Sequence, residues 1–289
     1  MARFDWYEGT SWTADQDELV EALSRSEPMA LVVPDRAMHG YHHGAALKLG
    51  MDTLATVWWG GNPGVHFKAS SARSPWLADV VRGVSPSNLC SRVDVCEDWV
   101  EAGLFDHMAA AAIAYAREHR IVINQMGDWA RGVARTLYLG SSSSELRVVI
   151  YEKGYEAGGS PHWVRLEVRA KCKDKGVREW LGRCEPGEVF GMGWVRGYVM
   201  DCLGWEHVSR VGMGPRHVPS TRDNVLLSLV RQYGAILEAL AEDVGGWDSL
   251  GGAIRERMER VRVEEAEMKA FLRDRMRRGA DVYLASSVA

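Results

Sequence analysis

The sequence contains no apolar run long enough to cross a bilayer, and its five cysteines show no paired C-x-x-C spacing. The first absence excludes a membrane-spanning helix. The second leaves neither a disulfide framework nor a zinc knuckle, so the thiols are expected to be free and buried. The N-terminal segment MARFDWYEGT lacks the apolar core of a signal peptide, and a cytoplasmic protein is expected. No Pro-rich linker, low-complexity tract or repeat is evident. Positive charge is not in excess either: a formal net charge of −4 argues against a protein that coats nucleic acid non-specifically. A local basic patch remains open, because the field near a ligand is set locally. Residues 165–178, RLEVRAKCKDKGVR, hold six basic residues against two acidic ones. They read either as such a patch or as an ordinary solvated face.

What is present is the composition of a folded protein, with 46% hydrophobic and 26% charged residues over 289 positions. That length buries one large core or two smaller ones. As far as about Lys171 the chain alternates short strand-like runs (MALVVP, LATVWW, GVHFKAS, SRVDVCED, RTLYLGS, ELRVVIYEK, HWVRLEVRAK) with two helical ones, DQDELVEALSR and GLFDHMAAAAIAYAREHR. Val, Leu, Thr and aromatics fill the strands, Gly, Ser, Asn or Pro bound them, and Ala fills the second helix. The pattern predicts an α+β fold, a largely antiparallel sheet with flanking helices. Beyond Lys175 the pattern turns helical, with Val225, Leu229, Ile236 and Leu240 at helical spacing. Ile254, Met258, Val261, Met268 and Leu272 form a heptad-like stripe broken at Glu265. This stripe is expected to pack on its own domain, with a helical partner or a homodimer as the alternative. The expected boundaries are an α+β domain over 1–175 and a mainly helical region over 176–289.

Strand alternation places Arg92, Asp94, Cys96 and Asp98 on one face of SRVDVCED and Val93 and Val95 on the other. Two carboxylates on one face repel unless a cation intervenes. A divalent metal is one solution and a solvated edge balanced by Arg92 is the other. In HWVRLEVRAK, Arg165, Glu167 and Arg169 likewise share a face, so Glu167 is either ion-paired at the surface or part of the same cavity as Asp94. In LRVVIYEKGYE, Arg147, Val149, Tyr151 and Lys153 fall together. A phenol with an ordinary pKa near 10 attacks poorly unless a cation stabilises its charged form.

In this order the segments resemble the replication initiation factor (Rep_trans-type) family of rolling-circle plasmids and filamentous phages. Arg92, Asp94 and Asp98 match its R-x-D-x-x-x-D element; Thr136, Tyr138, Gly140 and Ser141 match T-x-Y-x-G-S; Tyr151, Lys153 and Glu156 match the tyrosine element; Trp163, Arg165 and Glu167 match W-x-R-x-E. Val149 stands where the family has an arginine, with Arg147 as its nearest substitute, and Glu152 stands where an aspartate usually follows the tyrosine. The resemblance covers roughly residues 60 to 175.

It implies a site-specific nickase of an origin that forms a 5′-phosphotyrosine link and frees a 3′-hydroxyl to prime synthesis. By resemblance, Tyr151 is the nucleophile and Lys153 and Arg165 are phosphate-side cations. Asp94 and Glu167, then Asp98 and Glu156, are the ligands of Mg²⁺ or Mn²⁺. Acidic ligands suit the lack of a His-hydrophobe-His triplet. Arg92, Arg147, Arg169, Lys171 and Lys173 are the expected DNA contacts, and origin DNA and a host helicase the expected partners. Two readings compete: a non-catalytic DNA-binding regulator with the same fold, and a related transposase or recombinase. The histidines of HGYHH, residues 39–43, are expected in a polar surface turn rather than on a metal. Trp58, Trp59 and Trp163 are candidates for stacking on unpaired bases. Tyr155 is expected to be a turn aromatic, separated from Tyr151 by a break at Gly154.

Overall fold

The structure, a computed structural model, describes residues 1–213 and 222–286. In chain order the elements are β1 (Arg3–Ser11), α1 (Gln16–Ser26), β2 (Leu31–Pro34), β3 (His43–Leu49), β4 (Asp52–Trp59), β5 (Val65–Ser70), α2 (Ser74–Val84), β6 (Asn88–Val100) and α3 (Leu104–Glu118). There follow β7 (Ile123–Asp128), β8 (Val133–Leu139), β9 (Leu146–Glu152), α4 (Lys153–Ala157), β10 (Trp163–Ala170), α5 (Lys175–Leu181), α6 (Val195–Gly197), α7 (Arg222–Asp243) and α8 (Trp247–Ser286). The chain divides into two compact units, Met1–Arg216 and His217–Ala289. The change from strands to helices at Lys175 falls inside the first unit, where α5 packs on β6.

All ten strands form one sheet in the order β2-β3-β4-β5-β1-β6-β10-β9-β8-β7. Every neighbouring pair is antiparallel. The order hides a duplication. A central strand (β1 or β6) is followed by a helix (α1 or α3), and a four-strand meander then returns to pair with that central strand. A closing helix (α2 or α5) packs on it. The two halves meet at the β1–β6 pair. No repeat is visible in the amino-acid sequence because the duplication lives in topology and not in residue identity.

The helices cover one face. α1 begins at a capping box, in which Asp15 accepts from the Glu18 amide and Glu18 reaches back to the Asp15 amide. Its apolar stripe, Leu19 and Leu23, is buried, as are Leu77 and Val81 of α2 and Phe105, Met108 and Ala112 of α3. Against them lie Tyr7, Val93, Val148, Ile150, Leu166 and Val168 from the strands, all within one continuous core. All five cysteines are free thiols, four of them buried. No helix among the described residues is long and apolar enough to cross a membrane.

In the second unit Ile254, Met258, Val261 and Met268 are 40–58% exposed. The expected burial of the stripe is therefore not found. Its first residues instead line a groove of about 690 Å³ with Leu240, Val244 and Leu250. The side chains of Val225 and Leu272 lie outside the described residues.

Candidate active site

The sheet face opposite the helices is polar in its centre, and the register assembles it row by row. Trp6 pairs with Asp94, Asp94 with Arg169, and Arg169 with Arg147. One row on, Cys96 pairs with Glu167 and Glu167 with Val149. In the next, Asp98 pairs with Arg165, Arg165 with Tyr151, and Tyr151 with Thr136. Period-two alternation thus delivers charged residues of three strands, flanked by Trp6 of β1 and Thr136 of β8, to one surface. Val149 occupies the row of Glu167 and sets an apolar side chain beside that carboxylate.

A cavity of about 360 Å³ opens there, lined among others by Asp5, Asp94, Tyr151, Glu156, Glu167 and Arg169. Asp94 and Glu167 are only 2% and 3% exposed. Burial raises both carboxyl pKa values above the ordinary range, and the charge of Asp94 adds to the rise at Glu167. Arginines oppose the rise: Arg92 Nε lies 3.0 and 3.1 Å from the two Asp94 oxygens, and Arg169 Nε donates to Glu167 Oε1 at 2.6 Å. Tyr151 Oη lies 3.4 Å from Glu167 Oε2 and 3.5 Å from Arg165 Nη1. These separations exceed an ordinary hydrogen bond but lie within the range that substrate seating tightens. Burial, and then the negative charge of Glu167, push the phenol pKa upward, with Arg165 pulling the other way.

The remaining expected residues fall in distinct places. Asp98 is clamped by Arg165 at 2.6 and 3.0 Å and by Arg3, an arrangement that holds its pKa down despite burial. Glu156 lines the cavity but is 64% exposed in its side chain and ion-paired to Lys153 at 2.9 Å. Lys153 Nζ lies 5.6 Å from the centre of the Tyr151 ring. Arg147 stacks on Tyr138 at 4.0 Å, and its buried Nε has no hydrogen-bond partner.

The basic run over 165–178 is split by the strand. Arg165 and Arg169 turn into ion pairs, whereas Lys171, Lys173 and Lys175 stay exposed. Trp58 is 1% exposed with its indole nitrogen bonded to the Arg36 carbonyl. It is therefore a core residue and not a stacking platform. Trp59 and Trp163 are partly exposed.

Tyr155 lies in α4, which Gly154 joins rather than breaks, and lines a different cavity with Glu152 and Arg135. Sequence reasoning missed Asp5, whose carboxylate binds Arg165 at 2.9 Å, and Trp6, which lies under Arg92 at 4.0 Å. Both are on β1, a strand whose alternation is interrupted by a register shift between Phe4 and Trp6. The strand pattern of RFDWYEGTS was the available signal.

Asp94 and Glu167 suit a hard divalent cation. Both are oxygen donors, both have raised pKa values, and Mg²⁺ is commonly held by one or two carboxylates with substrate phosphates completing its shell. Among the described residues, three metal-ligating side chains converge at one place only, Glu8, His39 and His66, which lies outside this cavity.

Residues 91–199 match the model of a family described as replication initiation factor (Rep_trans). The matched stretch runs from within β6 to just past α6 and contains Asp94, Tyr151 and Glu167. A solved structure described as a rolling circle replication initiator protein from Geobacillus stearothermophilus aligns with 18% identity and a TM-score of 0.47, covering 66% of this chain and 82% of its own. No curated protein matches the chain.

Proposed function

We propose that the chain is a rolling-circle replication initiator that nicks one strand of origin DNA and later rejoins it, with Tyr151 as the nucleophile. The observation that carries the reading is the Tyr151 hydroxyl seated between Glu167 and Arg165, within the stretch that matches the replication initiation factor family.

With its pKa raised, the phenol is protonated at neutral pH. The proton therefore leaves as attack proceeds, and Glu167 Oε2 is the acceptor within reach. The Tyr151 oxygen bonds to phosphorus while the bond from phosphorus to the 3′-oxygen breaks. The 3′-oxygen takes a proton from solvent, leaving a 5′-phosphotyrosine link and a free 3′-hydroxyl. Arg165 and Lys153 face the phosphoryl oxygens, and Arg165 offsets the negative charge that forms on the phenol oxygen. A divalent cation of the Mg²⁺ or Mn²⁺ class, held by Asp94 and Glu167, would supply Lewis-acid stabilisation of the phosphoryl oxygens. Exposed Lys171 and Lys173 and the stacked Arg147 are assigned to the DNA backbone. The second unit is assigned to origin selection or helicase recruitment, for which the exposed stripe of α8 is the supporting feature.

One observation favours a non-catalytic DNA-binding regulator: Arg92 and Arg169 already engage the two carboxylates. Incubation with single-stranded origin DNA and Mg²⁺ or Mn²⁺ separates the two readings. The nickase yields a covalent protein–DNA adduct that Tyr151→Phe abolishes, while the regulator yields salt-sensitive binding and no adduct under either metal.

A further inference from the structure

The duplicated topology gives the first half of the sheet its own open-face cluster, outside residues 91–199 and apart from the Tyr151 cavity. Thr10 pairs with His66, and Glu8 with Lys68, across β1 and β5. His66 thus lies one row from Glu8 on the same face. The loop between β2 and β3 brings His39 to them. One ligand atom from each of Glu8, His39 and His66 lies within 4.8 Å of the other two.

Several contacts hold these side chains in place. The Thr10 hydroxyl lies 3.1 Å from His66 Nδ1, turning Nε2 toward Glu8 Oε1 at 3.2 Å. The indole of Trp6 donates to Glu8 Oε2 at 2.7 Å, leaving Oε1 to face the histidine. Polar partners that fix the far side of a ligand in this way are the usual supports of metal-binding imidazoles and carboxylates. Trp58 and Tyr41 wall the His66 ring at 5.7 and 5.8 Å between centroids.

His39 adopts φ +56°, a left-handed backbone that strains an L residue. Asn62 Nδ2 holds the His39 carbonyl at 2.8 Å. A hydrogen-bonded His66–Glu8 pair by itself would give no reason to hold a second imidazole 5.2 Å from the first.

We propose that Glu8, His39 and His66 bind a divalent cation of the zinc class. Two imidazole nitrogens and one carboxylate oxygen are a borderline donor set, softer than the all-oxygen pair Asp94 and Glu167. Three protein ligands leave a fourth tetrahedral position for water or an anionic oxygen.

The test is equilibrium dialysis of chelator-treated full-length protein against Zn²⁺, with Co²⁺ visible spectra reporting coordination and thermal unfolding recorded with and without Zn²⁺. Wild type and Tyr151→Phe bind one Zn²⁺ and unfold at higher temperature with it. His39→Ala unfolds like wild type in chelator but loses both the bound metal and the zinc-dependent shift, and His66→Ala and Glu8→Gln lose the metal too. Thr10→Val weakens binding by about tenfold. Absence of Zn²⁺ from wild type overturns the site. So does undiminished binding in His39→Ala, or loss of binding in Asp94→Asn with His39→Ala unaffected.

Discussion

At the scale of single residues, the face is governed by how arginines divide the carboxylates. Asp94 and Glu167 are buried, with raised pKa values, and line the cavity that Tyr151 also lines, whereas Asp98 is held low by Arg165 and Arg3. These opposite shifts distinguish the two carboxylates of the cavity from the ion-paired Asp98. A carboxyl with a depressed folded pKa contributes stability above its ordinary value, near 3.8 for Asp, and that contribution is lost as pH falls through the lowered value. Asp98→Asn is accordingly less stable than wild type at neutral pH, by about 1–3 kcal/mol. The gap narrows as acid denaturation proceeds below the ordinary Asp value, and urea titrations at a series of pH values read both effects. Alternation in the sequence already placed Asp94, Glu167 and Tyr151 on charged strand faces. It did not disclose Asp5, because the irregularity near the start of β1 breaks the period on which such a reading depends. Nor did it single out His66, which reads as an ordinary strand residue until register and a distant loop bring Glu8 and His39 beside it.

At the scale of elements, β9 and β10 were legible in the sequence because one face of each is apolar and buried. β7, INQMGD, is largely exposed at the edge of the sheet and has no apolar alternation to show. β3, HGAALKL, is rich in Ala and Leu, which carry little strand signal. The junction of β9 and α4 is the local feature that aims Lys153. A Cβ on Gly154 would meet the Ser160 carbonyl oxygen at 1.7 Å, so only glycine lets α4 close against the loop before β10. Gly154→Ala is expected to destabilise the chain by about 1–3 kcal/mol and to lower adduct yield even though Tyr151 is retained. Denaturant unfolding and an adduct assay, run on the same variant, check both. In the core, Ile150→Ala on the buried side of β9 is expected to cost about 2–5 kcal/mol, read by the same unfolding measurement.

At the scale of the whole molecule, two topologically equivalent halves share one sheet but carry different chemistry on its open face. The second half holds carboxylates, arginines and a tyrosine; the first holds two histidines and a glutamate. Sequence pattern yielded the α+β class and the antiparallel sheet because burial dictates strand composition. It could not yield the duplication, since matching topologies need only matching polarity patterns and not matching residues. The first unit contains the entire candidate site and a continuous core. A chain ending at Arg216 is therefore expected to form the adduct on single strands while losing preference for the origin, as measured by adduct yield on origin and scrambled DNA.

The central claim is that Tyr151 carries the DNA link, and peptide mapping of the trapped adduct by mass spectrometry tests it most directly. The expected result is a nucleotide-bearing peptide modified at Tyr151, with Tyr155 unmodified. A modification mapped to Tyr155 or any other residue would contradict it.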